Sequence, residues 1–231
     1  MFWHFDPVVL VIGLIGAAFS GWAALRVQSA FNTYSQVRSR RGYTAAQAAD
    51  IMLQKAGVHD VEIVPVQGHL SDHYDPTNKR LALSENVYNS TSVAALGIAC
   101  HEAGHAIQDA TGYAGLKATA MLFKPAAVGS QLGLVVIILG LMLGFKGLAL
   151  VGLIAFGAFL AFQLVTLPVE FDATARAKRE IINAGIIYPD EREGVDRVLN
   201  AAALTYVAAA FTTMLYFLYY GSRILGGSQD E

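Results

Sequence analysis

Cysteine occurs once in this chain of 231 residues, at Cys100, so an internal disulfide framework is excluded. Charge is also scarce. Asp, Glu, Lys and Arg make up 15% of the residues against 55% hydrophobic ones, a balance outside ordinary water-soluble usage. The net charge is −2, and with no global basic field the composition gives no support for nucleic acid as a partner. Histidine is confined to the first half: none follows His105. Any later metal ligand must therefore be a carboxylate.

The missing charges are concentrated in four windows. Pro7 to Leu25, Pro125 to Phe145, Gly147 to Val169 and Val198 to Ser222 contain no Asp, Glu, Lys or Arg over 19, 21, 23 and 25 residues. About 20 apolar residues at a rise of 1.5 Å span a bilayer core, so the sequence predicts four transmembrane helices. The second and third windows are apolar all round, which fits lipid better than a buried soluble hairpin. The first lacks the basic leader of a signal peptide, having His4 and Asp6 before it. It reads as a retained anchor, with Trp3, Phe5 and Trp22 as interfacial aromatics and Arg26 at its end.

Between the first two windows lies a mixed segment. Thr44 to Ala56 is a short amphipathic helix with Thr44 as N-cap and Gly57 as stop. Val61 to Val66 alternates as a strand whose Pro65 requires an edge or an end. A hairpin follows: a strand near Leu70 to Tyr74, a turn at Asp75-Pro76-Thr77-Asn78 and a strand from Arg80 to Leu83. A sheet edge there could take an extended peptide as one more strand. His69, Asp72 and His73 read as exposed polar positions, because a spacing of four is not metal spacing on a strand.

What the chain does have is His101-Glu102-Ala103-Gly104-His105, an H-E-x-x-H motif on a helix expected from Val93 to Asp109, capped in Asn89 to Ser92 and stopped at Gly112. Positions four apart share a helix face, so His101 and His105 can offer two imidazoles to one ion. Glu102 is placed to take a proton from water activated there, as zinc hydrolases require. Cys100 points elsewhere as a small apolar residue. The longer metzincin pattern fails, with Gln108 and Thr111 where Gly and His would stand.

A third ligand is therefore expected around Leu167 to Ala177, where the third window ends. Glu170 is the first carboxylate there, Asp172 its rival and Glu180 a more distant one. Two spans separate His105 from Glu170, which returns the chain to the same membrane side. Fourteen of the sixteen Lys and Arg fall in the two segments holding the motif and Glu170, with only Lys146 and Arg223 opposite. By the positive-inside rule those segments face the cytoplasm.

The motif followed two spans later by Glu170-Phe-Asp-Ala-Thr-Ala-Arg-Ala resembles the gluzincin membrane peptidases of the HtpX and CAAX-prenyl endopeptidase group. Leu70-Ser-Asp-His-Tyr-Asp-Pro and Leu83-Ser-x-x-Val-Tyr resemble more narrowly the YugP-type neutral zinc metallopeptidases. The resemblance runs from the first span to about Tyr206. It implies His101, His105 and Glu170 as ligands of one zinc ion per chain and Glu102 as general base. The wider group has an Asp four residues after its glutamate ligand. This chain has Thr174 there, so Asp172, Asp109 or the threonine itself must support the ligands.

The expected fold is mainly α: four transmembrane helices with a zincin-like α+β cytoplasmic catalytic domain carrying a small hairpin or sheet. It divides as span 1–25, catalytic segment 26–124, hairpin of spans 125–169, third-ligand segment 170–197, span 198–222 and tail 223–231. The expected activity is hydrolysis of peptides or membrane proteins at the cytoplasmic face of a bacterial membrane, with His73, Arg176, Tyr188 or Tyr206 as oxyanion donor. An intramembrane site-2-type protease is disfavoured by the polar run Asn86 to Ser92 before the motif. The alternative outside enzymes is a noncatalytic metal-binding scaffold or transporter-like protein, suggested by small residues such as Gly129, Gly133 and Gly140.

Overall fold

The computed structural model describes residues 6–226, so Trp3, His4 and Phe5 and the end of the expected tail lie outside the described residues. The chain forms two compact units. One comprises the residues up to Trp22, Lys117–Pro168 and those from Thr205 onward; the other comprises Ala23–Leu116 and Val169–Leu204. Both units are mostly helical, and four helices are long and apolar enough to cross a membrane.

Helix α1, Pro7–Tyr34, starts on a proline whose fixed φ suits a first helical position, and the Asp6 carboxylate accepts from the Val8 amide at 3.0 Å. It continues past Arg26 for two further turns. Helix α2, Ala45–Lys55, begins in a capping box: Thr44 accepts from the Gln47 amide while the Gln47 side chain accepts from the Thr44 amide. Gly57, at φ +74°, ends it.

Three strands follow, β1 Glu62–Val66, β2 His73–Asp75 and β3 Arg80–Ser84, in the order β1-β3-β2. β3 pairs parallel with β1 and antiparallel with β2, which leaves Pro65 on an edge strand. The strand expected from Leu70 starts only at His73. Gly68 and Leu70 have φ of +113° and +53°, values no β ladder accommodates. Asp72 then clamps the sheet, accepting from the Ser84 amide at 2.8 Å. The Asp75 carboxylate closes the turn by accepting from the Thr77 amide at 2.8 Å.

Helix α3, Glu85–Tyr88, leads to α4, Val93–Ala110, which carries the histidine motif. Met52 and Leu53 of α2, Leu81 and Leu83 of β3 and Leu96 of α4 share one hydrophobic core with Ile181, Ile186 and Val195. Each fully buried aliphatic side chain of this size contributes about 1.5–3 kcal/mol.

The second apolar helix differs from its expected bounds. α5, Ala114–Val128, opens eleven residues before the uncharged window. It takes Lys117 and Lys124 along its length and holds Pro125 in its interior, then widens into a π turn at Gly129–Gly133 before α6, Leu134–Met142. A lysine lays its methylenes along an apolar surface and extends its ammonium to water, so charge scarcity alone misplaces such a start. α7, Lys146–Asn183, is one helix of 38 residues with Pro168 inside. A 3₁₀ turn at Pro189–Glu191 precedes α8, Arg192–Gly226. In the first unit Gly133 fits against Phe156, and Gly129 and Gly140 against Ala155 and Ala149, leaving no room for a Cβ.

Candidate metal centre

Helix α4 starts where Ser92 accepts from the Ala95 amide at 3.2 Å and stops before Gly112 at φ +65°. Its alanines at 95, 99, 103 and 106 are buried. Small residues let α7 come close: a Cβ on Gly104 would lie 2.8 Å from the Ala173 carbonyl oxygen. Gly104 stands between the motif histidines, and Ala173 is less than one turn from Glu170. The approach therefore delivers Glu170 to both rings.

Glu170 Oε2 lies 3.3 Å from His101 Nε2 and 3.6 Å from His105 Nε2. The three potential ligand atoms lie within 4.8 Å of one another. A tetrahedral zinc site, with bonds near 2.0–2.2 Å, separates its ligand atoms by about 3.4 Å. Glu170 Oε2 is moreover buried without a hydrogen-bond donor, a costly arrangement unless a cation supplies the interaction. Donor chemistry and spacing both fit a divalent ion.

The far side of each ring is tied down. His105 Nδ1 meets Gln108 Oε1 at 2.9 Å, which fixes the proton on Nδ1 and leaves the Nε2 lone pair for a cation. The fully buried Gln108 amide donates in turn to the Val169 carbonyl at 2.8 Å and to Asp172 Oδ2 at 2.9 Å. Asp172 also accepts from Arg176 Nε at 2.6 Å. His101 Nδ1 faces Thr174 Oγ1 at 3.3 Å. A hydroxyl thus stands behind one ring and a glutamine–aspartate relay behind the other.

Glu102 is buried beside these groups, only 9% exposed. Burial opposes a charge on His105, but with no cation between them the facing Glu170 carboxylate and the nearby Glu102 outweigh it and raise its pKa to about 9. The same field favours a bound cation.

The other sequence-predicted positions have separate tasks. Asp109 accepts from Tyr74 Oη at 2.8 Å and Lys79 Nζ at 2.6 Å. Burial first, then this hydrogen bond, pushes the Tyr74 phenol above its usual range. Glu180 pairs with Arg179 at 2.7 Å. Among the expected oxyanion donors, exposed His73 meets the Ser71 carbonyl, Arg176 serves Asp172 and Tyr188 lies under Arg40 and Arg41. Tyr206 belongs to the other unit. His69 stands edge-on to Phe31, with ring centroids 5.6 Å apart. Cys100 is fully buried, and burial raises its thiol pKa. Gln108 was legible only as a mismatch to the metzincin pattern; its place one turn beyond His105 was the available signal.

Residues 9–224 match the model of a family described as "Putative neutral zinc metallopeptidase". The chain is 40% identical to the Bacillus subtilis (strain 168) protein named "Putative membrane protease YugP", over 97% of this chain and 99% of that one. No solved structure matches.

Proposed function

This chain belongs to the neutral zinc metallopeptidase family, and from that premise we propose that it is a multi-pass membrane endopeptidase of gluzincin type. His101, His105 and Glu170 hold one zinc ion, and Glu102 is the general base. The observation that carries this reading is a buried carboxylate oxygen with no donor, faced by two imidazole nitrogens at 3.3 and 3.6 Å.

Zinc bound there supplies Lewis-acid polarisation of a water molecule and of the scissile carbonyl. The chain's own residues do the rest. Glu102 accepts the proton of the attacking water and delivers it to the departing amine nitrogen, so the carboxylate ends each cycle ionised. Gln108 and Thr174 hold the imidazoles with Nε2 forward, and the Asp172–Arg176 pair anchors Gln108. The distribution of Lys and Arg supports a site at the cytoplasmic face of a bacterial membrane, where membrane proteins and their flanking segments are the accessible substrates.

The test is Glu102→Gln in the purified full-length protein, with casein as substrate and zinc measured by elemental analysis. Wild type is expected to carry about one zinc per chain. The variant is expected to keep that metal and lose cleavage. Cleavage at the wild-type rate would overturn the mechanism, and a wild type without zinc would return the chain to the noncatalytic alternative.

A further inference from the structure

The second unit contains a recess of about 370 Å³ between α1 and α8, separate from the residues of the metal centre. Arg26, Ser29 and Thr33 line one wall and Arg197, Asn200 and Leu204 the other. Both triplets follow i, i+3, i+7 spacing, so each wall is one helix face. We propose that this recess binds the phosphate headgroup of an anionic phospholipid.

The placement of the arginines points to lipid. Arg26 is the first charge after the uncharged window Pro7 to Leu25, and Arg197 the last before the window Val198 to Ser222. The recess therefore opens where two apolar helices acquire charge, the depth at which headgroups lie. A guanidinium offers its donors in a fork that matches phosphate oxygens, and two arginines line the recess. Ser29, Thr33 and the Asn200 side chain add polar atoms, and Leu204 gives an apolar wall for the glycerol and the first acyl carbons. The volume falls within the usual range of small-ligand sites, about 300–1,000 Å³.

Arg197 already meets an acid, Glu193, which accepts from it at 2.9 and 3.0 Å. That pair is i, i+4 on one helix with its side chains 61% and 69% exposed. Such pairs are weak and screened by salt, so an arriving phosphate can share the guanidinium. Asn200 Oδ1 accepts from Lys178 Nζ at 2.6 Å, which brings to the rim a third cation, itself 3.6 Å from Asp196. The inference rests on reading α1 and α8 as membrane spans and not on peptidase activity.

The test uses the full-length protein in detergent, with bound lipid counted by native mass spectrometry. Phosphatidylglycerol and phosphatidylcholine with matched acyl chains are the two probes. Two arginines at the surface of an anionic lipid predict that one phosphatidylglycerol is retained at roughly thirty-fold lower concentration than phosphatidylcholine. Arg26→Gln combined with Arg197→Gln should abolish that preference, and Ser29→Leu, which fills the recess and keeps both charges, should also lose the lipid. Arg223→Gln, outside the recess, should leave it unchanged. Equal retention of the two lipids by wild type would overturn the proposal. Should the arginine double variant fail to fold, Ser29→Leu decides alone, and wild-type retention in it overturns the assignment. Displacement of the lipid by glycerol 3-phosphate at equal concentration would show a soluble-anion site and overturn the lipid source.

Discussion

At Gly104 the motif helix meets the α7 backbone at Ala173, and at Gly129, Gly133 and Gly140 the hairpin helices meet by the same device. The surroundings differ. Around Gly104 the contact brings two imidazoles, two glutamates, a glutamine, an aspartate and a threonine into one buried to half-buried group. Around the hairpin glycines the neighbours are Ala149, Ala155 and Phe156. Lipid offers helices little hydrophobic incentive to associate, so close van der Waals packing has to hold such a pair together. The motif helix has a full hydrophobic core behind it already, and there closeness gathers polar side chains.

Substitutions can separate the two uses. The largest effect is expected at the site: Glu102→Gln lowers peptide hydrolysis by about 10²–10⁴-fold with zinc retained. His105→Ala removes the metal as well, read as zinc per chain falling to near zero, whereas Gly140→Ala leaves the zinc content unchanged and lowers the thermal midpoint. Should Gly140→Ala also release zinc, the two contacts are one mechanical system and the contrast fails. Gly104→Val is next. It forces α7 away by a few tenths of an ångström or more, and because displacement of about 1 Å costs on the order of 10²-fold in rate, activity should fall far more than stability. Gln108→Ala, which frees His105 Nδ1, should weaken zinc affinity by about 10–100-fold in a chelator competition.

The smallest effect is at the Tyr74–Asp109–Lys79 cluster. Tyr74→Phe should cost about 1 kcal/mol in denaturant unfolding without altering zinc affinity. The hydrogen bond to Asp109 raises the Lys79 pKa above its ordinary 10.5. Its stabilising contribution is therefore complete below pH 10.5 and fades as pH rises through the raised value. The difference in melting temperature between wild type and Lys79→Met should shrink over that alkaline range.

The sequence made the metal centre legible to the extent that its chemistry is local or periodic. The histidine spacing is a helix repeat, and Glu170 is the first acid after the third uncharged window. Gln108 was hidden because an amide has no metal or catalytic signature until a ring nitrogen is seen opposite it. The start of α5 was hidden for a related reason. Lys117 and Lys124 end an uncharged window but not a helix, since their long stems tolerate an apolar flank. The late start of β2 depended on backbone angles at Gly68 and Leu70, and leucine at positive φ has no sequence signal.

The proposed ligands of the metal centre are divided between α4 and the far part of α7, with the whole helical hairpin interposed in the chain. A ribosome makes the H-E-x-x-H helix first and Glu170 only after both hairpin helices have been synthesised. A half-made chain thus carries Glu102 and two imidazoles but cannot complete the proposed donor set. If the proposed activity holds, the order of translation acts as a safety catch, delaying it until the apolar hairpin already exists.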